Sequence, residues 1–255
     1  MLNALDPAAA LGIGHGLVAV AGAGGKKSTL YAVARTCPGR VAVTTTVNCP
    51  VPPAGEAFRL LVGSGPDLAE RVRAVPPGER RVFFAAPGKR PELLGGVDPA
   101  VIADVAESGR FDLVLVKADG ARRRLIKAPG AGEPVYPPGT GQVIYVVSAH
   151  ALGRRPDSGI AHRPEQLAAV TGAREDALLE PDHLVRLLTS GSGALKAVDA
   201  GVRLTVVINR VDTPERQRQA REVARRVLAS TDRVGAVVLA RMGERPPLLE
   251  IVERE

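Results

Sequence analysis

Val18-Ala-Val-Ala-Gly22-Ala-Gly24-Gly25-Lys26-Lys27-Ser28-Thr29 is the stretch whose reading decides the fold. The apolar run Leu17 to Ala21 predicts a buried strand. Leu30, Val33 and Ala34 then share one face of a helix expected to begin near Lys27. Strand, glycine turn and helix N-terminus together make a phosphate cradle. Gly22, Gly24 and Gly25 let the backbone approach an oxyanion, successive N–H groups point at it, and the helix dipole favours negative charge. Lys26 and Lys27 add cations, and Ser28 and Thr29 add hydroxyls within reach of a phosphate-bound magnesium ion. The other reading is a glycine-rich turn with two solvated lysines; three glycines, two lysines and two hydroxyls between strand and helix favour the cradle.

The spacing G-x-x-x-x-G-K-[ST] is not met. Gly25 precedes Lys26, but Val20 stands where the first glycine belongs and Lys27 where the hydroxyl belongs. The compact G-x-x-G-K form, Gly22 to Lys26, fits and resembles the shorter loops of Mur-ligase-like nucleotide enzymes. ATP or GTP with Mg2+ is the ligand this predicts.

Outward from the loop, Arg40–Thr44 predicts a second strand running into Thr44-Thr45-Thr46, hydroxyls that can ligate magnesium or a phosphate oxygen, or that only reflect the β-propensity of Thr. Val47 to Ala54, with three prolines, predicts loop. Further strands are expected at Arg59–Val62 and Arg80–Ala85, and Asp98 caps a helix to about Ser108. Asp112–Lys117 is an apolar strand followed by Ala118-Asp119-Gly120. A carboxylate just past such a strand can hold magnesium through water or orient an attacking group, so Lys26 and Asp119 are the candidate catalytic residues and Ser28, Thr45 and Asp119 the candidate metal ligands. Asp-Gly is also a common turn. Arg122 to Pro134 reads as a long cationic loop, in which Arg122 to Arg124 either clamp phosphate, with Arg122 the candidate, or form a solvated charge run.

Strands at Gln142–Val147, Leu204–Ile208 and Val234–Leu239 alternate with helices after Glu165, at Pro181–Leu188 and at Pro214–Ala229. The alternation predicts an α/β fold: a mostly parallel sheet with helices on both faces, a P-loop NTPase-like three-layer sandwich. One domain over residues 1–255 is expected, with a more helical lobe at about 149–200. Ligands in such sheets bind beyond the carboxyl ends of the strands. Asn209-Arg-Val-Asp212 resembles the [NT]-K-x-D element that reads guanine in GTPases, with Arg210 in place of the lysine; alternatively Asp212 caps the helix before Pro214. His150, His162 and His183 lack metal-ligand spacing.

Composition narrows the class. The 255 residues are 45% hydrophobic, 24% charged and only 3% aromatic, without Trp. An aliphatic core is expected, and base-stacking platforms for single-stranded nucleic acid are not. The net charge of +7 suits an anionic ligand, but without a continuous basic arm no nucleic-acid partner is inferred. Two cysteines, Cys37 and Cys49, point to a reducing cytoplasm. No apolar run has membrane-spanning length and Met1 to His15 has no export pattern, so no membrane partner is expected.

Gly22-Ala-Gly-Gly-Lys-Lys-Ser-Thr29, Thr44-Thr-Thr46, Ala118-Asp-Gly-Ala121, Leu125-Ile-Lys-Ala-Pro129, Glu133-Pro-Val-Tyr-Pro137, Ala151-Leu-Gly153, His162-Arg-Pro-Glu165 and Asn209-Arg-Val-Asp212 together resemble the YqeC-like family, over most of the chain. Lys27 stands at that family's first loop hydroxyl, Lys117 where it usually has Glu, and Gly132 where it often has His. The resemblance implies an accessory protein in selenium cofactor biosynthesis or in maturation of selenium-dependent molybdenum hydroxylases. A selenium donor and a molybdenum hydroxylase would be its partners, and an NTP-dependent reaction its activity. A non-catalytic, nucleotide-gated delivery module and a P-loop kinase or GTPase with another substrate are the alternatives.

Overall fold

The structure, a computed structural model, describes residues 2–254; Met1 and Glu255, the ends of the expected 1–255 domain, lie outside the described residues. The strands are β1 (Asn3–Ala4), β2 (Gly16–Gly22), β3 (Val41–Thr45), β4 (Cys49–Pro50), β5 (Arg59–Val62), β6 (Arg81–Pro87) and β7 (Leu93–Gly95). They continue with β8 (Leu113–Lys117), β9 (Ile126–Lys127), β10 (Thr140–Ser148), β11 (Ala161–His162), β12 (Arg203–Asn209), β13 (Val234–Arg241) and β14 (Leu248–Val252). The helices are α1 (Pro7–Ala10), α2 (Lys26–Thr36), α3 (Gly65–Arg73), α4 (Pro99–Glu107), α5 (Pro164–Thr171), α6 (Pro181–Thr189) and α7 (Pro214–Ser230).

Twelve strands form one sheet in the order β1-β14-β13-β12-β10-β2-β8-β3-β6-β7-β4, with β5 also paired to β6. Every pairing from β13 across to β5 is parallel. Both margins turn antiparallel, through β14 and β1 on one side and β7 and β4 on the other.

The period-2 alternation of side chains divides the core in two. On β2, Leu17, Ala19 and Ala21 face the layer built with α3 to α7, while Val18 and Val20 face α1 and α2. Because both faces are covered, the central strands read as continuous apolar runs rather than alternating ones. The three-layer α/β expectation is therefore met, with an aliphatic core. The buried residues of α5 and α6, Leu167 and Leu184 among them, join the larger core cluster.

Three expectations need correction. Val47–Ala54 is not all loop: β4 pairs with β7 through Cys49 and Leu94, and a short 3-10 turn follows at Ala54–Glu56. The cationic loop contains β9, which pairs with β11. Asp212 does not cap α7; Thr213 does, its hydroxyl accepting from Arg216 N–H at 3.2 Å.

No helix of the described residues is long and apolar enough to cross a membrane. β2 lies between β8 and β10, and the chain leaves it first to β3 and β8 on one side and only later to β10 on the other. That reversal is the switch point at which sheets of this kind open a ligand crevice.

Candidate functional site

The crevice is organised by the turn after β2. Gly22 and Gly24 have φ of +91° and +80°, the left-handed region that only glycine enters freely. A Cβ at Gly24 would stand 2.5 Å from Ser148 Cβ and 2.6 Å from the Leu125 carbonyl oxygen. Asn209, at the end of β12, clamps the same turn: its amide nitrogen donates to Gly24 O at 2.9 Å and its amide oxygen accepts from Met242 N–H at 3.0 Å. The loop is thus held by β10, β12 and the segment before β9 at once.

α2 begins at Lys26 behind Gly25, and no side chain caps it. Its first-turn N–H groups have no intrahelical partner, and its first turn carries no acidic residue. The donor set and dipole fit an oxyanion. Ser28 and Lys27 are half-buried at this terminus. Thr29 is fully buried and donates its hydroxyl back to Gly25 O at 3.2 Å.

Lys26 is only 6% exposed. Its Nζ donates to Gly22 O and lies 2.9 Å from Asp119 Oδ1. Burial pushes the Lys26 ammonium below its usual range, against the opposing pull of Asp119. Asp119, completely buried at the end of β8, also accepts from Gly22 N–H at 3.0 Å and lies 2.9 Å from Lys127 Nζ. Lys127 continues the chain of charges to Glu133 at 2.6 Å, and Arg163 joins Glu133 at 2.7 Å. Glu133 is desolvated, but hydrogen bonds from Arg163 and Lys127 outweigh that and hold its carboxyl down at about 2. Tyr145 of β10 fixes the far end by donating to Lys127 O at 2.9 Å.

Lys26 and Asp119 are therefore brought together, as are Gly24 and Asn209. Thr45 and Asp119 are committed elsewhere than to an open metal site. Thr45 Oγ1 donates to Val47 O at 2.7 Å and accepts from Val47 N–H at 3.2 Å. Among the described residues no group of three or more His, Cys, Asp or Glu side chains is arranged to hold a metal ion. Of the three candidate ligands, Ser28 is the one that lines the adjoining cleft. Arg122 lies on an exposed turn.

Beside Gly24, Gly25 and Ser28 opens a cleft of about 220 Å³ whose other walls include Asn209, Arg210, Asp212, Arg241 and Glu244. Asp212 lies 2.6 Å from both His150 Nε2 and Arg216. Its carboxyl is desolvated, yet these partners carry it below the ordinary carboxylate value.

On the other side of the loop, Lys117 is 8% exposed, donates to Asn48 O at 3.2 Å, and is pushed down to about 8 by burial. Cys49 is nearby and buried; burial pushes its thiol up, although Lys117, Lys27 and Lys26 pull the other way.

A family model described as YqeC protein matches residues 18–165, more than half of the chain and the whole ion cluster from Lys26 to Arg163. The chain belongs to the YqeC family. It is 31% identical over 199 residues to a protein of Escherichia coli (strain K12) named Uncharacterized protein YqeC, an alignment covering 76% of this chain and 75% of that one. The family match ends before the second wall of the cleft, Asn209 to Glu244.

Lys127, Glu133 and Arg163 escaped the sequence reading as site residues. Lys127 sits between Ile126 and Ala128, a single charge inside a short apolar run, and that was the available signal. Glu133 and Arg163 carry no comparable mark, because their partners lie 6 and 30 residues away in sequence.

Proposed function

We propose that this YqeC-family protein binds a nucleoside triphosphate across the turn Gly22–Ser28 and uses it in maturing a selenium-dependent molybdenum hydroxylase. The observation that carries the reading is the uncapped, glycine-lined N-terminus of α2 with the buried Lys26 beside it. The first-turn N–H groups and Lys26 would hold the terminal phosphates, with Lys27 at the rim. Mg2+, if it accompanies the nucleotide, would be held by phosphate oxygens and Ser28, supplying charge neutralisation at the transferring group. Asp119 serves as the counter-ion that Lys26 leaves when it turns to a phosphate, and the base and ribose have the adjoining cleft to occupy.

The selenium assignment rests on family resemblance alone. It is tested by measuring NTP hydrolysis by the pure protein and then with an apo-hydroxylase and a selenium donor added. Turnover that appears only with both supports the reading, and rapid turnover by the protein alone contradicts it in favour of a kinase or GTPase acting on another substrate.

A nucleotide-gated delivery module is the second reading, and one observation favours it. Lys26 is spent on Asp119 and Gly22 O, so phosphate binding must break a buried ion pair joined to Lys127, Glu133 and Arg163. Binding of nucleotide without turnover under every condition above supports that reading.

A further inference from the structure

Among the described residues four arginines have left-handed backbone: Arg122, Arg123, Arg163 and Arg210, with φ of 43°, 64°, 61° and 60°. Two of them are consecutive. Arg124 N–H donates to Ala121 O at 2.8 Å, closing a turn with Arg122 and Arg123 at its centre. Positive φ at both central positions is the type I′ arrangement, which favours Asn and Gly and disfavours long side chains. Strained backbone of this kind persists where the surroundings over-determine it, and it clusters at ligand sites.

Arg122 and Arg123 are exposed, and neither side chain makes a hydrogen bond or ion pair with another described residue. The turn is anchored close to the phosphate loop. Three residues after Arg122, the Leu125 carbonyl accepts from Ser148 N–H at 3.1 Å and abuts Gly24.

β9 and β11 pair in parallel with His162 opposite Lys127, so the two side chains share a face. Burial lowers the His162 pKa, and Arg163, Lys127 and Arg122 lower it further, against the opposing pull of Glu133. The imidazole therefore lies in a positive field. Arg163 is fixed: it holds Glu133 at 2.7 Å, and its guanidinium carbon lies 3.0 Å from where a Cβ on Gly130 would be. The carboxylates of this group are already shared: Asp119 between Lys26 and Lys127, and Glu133 between Lys127 and Arg163. The charge of Arg122 and Arg123 is left unbalanced.

We propose that the Arg122–Arg123 turn, with His162 and Arg163, forms a second anion subsite, distinct from the phosphate loop, for the phosphate or carboxylate group of the small molecule on which the nucleotide acts. The subsite takes Arg122 out of the nucleotide-binding set. The link to the nucleotide rests on the proposed function; the anion subsite stands without it. Guanidinium groups recognise both oxyanions through paired hydrogen bonds.

The test follows the imidazole proton resonances of the full chain by NMR, with His162 assigned from His162→Gln. Inorganic phosphate and malonate are titrated in separately. The subsite predicts a saturable shift of His162 and a rise in its pKa as the anion binds. The tighter of the two probes assigns a phosphate or a carboxylate. The double variant Arg122→Gly/Arg123→Gly suits the turn's backbone and removes its charge, so its fold is preserved; in it the apparent affinity should fall about tenfold or more. Lys26→Ala should leave the His162 response unchanged, and the double glycine variant should bind magnesium–ATP as the wild type does. A silent His162 with both probes, a response that survives the double variant, or a response lost in Lys26→Ala would each overturn the proposal. Loss of ATP binding in the double variant would also overturn it, by returning these arginines to the nucleotide.

Discussion

Asp119 is the residue on which the site's electrostatics turn. Two lysines lie 2.9 Å from its oxygens, and all three groups are nearly or wholly buried. Removing one partner of a buried ion pair leaves an uncompensated charge and costs about 3–5 kcal/mol. Asp119→Asn should therefore lower stability by about that amount in urea unfolding. Lys26→Ala should cost much less, because Asp119 retains Lys127 and Gly22 N–H. Lys117 gives a pH signature. In the unfolded chain its amine holds a proton up to about 10.5; in the fold it releases it at about 8. Between those values the unfolded state binds more protons, so this residue's contribution to stability rises with pH through that window. Lys117→Met should stabilise the protein at pH 7 by on the order of 2 kcal/mol, and the gain should fade as the pH climbs from about 8 to 10.5. Thermal unfolding of both chains at several pH values checks it. At this scale Lys26 and Asp119 were legible because each follows an apolar strand. Lys127 and Glu133 were not, because their meeting depends on how a loop without periodicity folds over β10.

The strand–turn–helix unit is held by its neighbours rather than by itself. Gly24→Ala would drive a methyl into Leu125 O and Ser148 at a left-handed φ, and should cost more than the usual glycine-to-alanine change. Asn209→Ala removes two hydrogen bonds and strands Gly24 O and Met242 N–H, for a loss of about 1–3 kcal/mol. Nucleotide affinity should fall with it, since the turn loses its tether. Thr213→Ala should cost about 0.5–2 kcal/mol as a lost helix cap, whereas Asp212→Ala gives up only half-exposed ion pairs. Urea unfolding separates the two. The long parallel strands were readable since burial on both faces makes them uniformly apolar. β4, β9 and β11 have two residues each and so carry no periodicity to read. β14 was hidden by Glu250, which interrupts its apolar run and is held by Arg221 at 2.6 Å.

Across the whole molecule, sheet order gathers residues that lie far apart in the chain. β8, β2, β10 and β12 are neighbours, so their carboxyl ends bring Asp119, the glycine turn, Ser148 and Asn209 to one rim. The sequence showed that each followed a strand, but not which strands were adjacent, and the antiparallel margins were invisible to it. At that rim Lys26 is paired with Asp119, and Lys27 is the half-buried cation beside it. Because Asp212 is occupied by His150 and Arg216, its discrimination between bases should be weak. The central claim is that this rim binds a nucleoside triphosphate through Lys26, and calorimetry of magnesium–ATP and magnesium–GTP with wild type and Lys26→Ala tests it most directly. The account predicts binding of both nucleotides by the wild type with a small preference, and affinity lower by about tenfold or more in Lys26→Ala with its circular dichroism unchanged. A wild type that binds neither nucleotide, or a folded Lys26→Ala that binds them equally well, would contradict it.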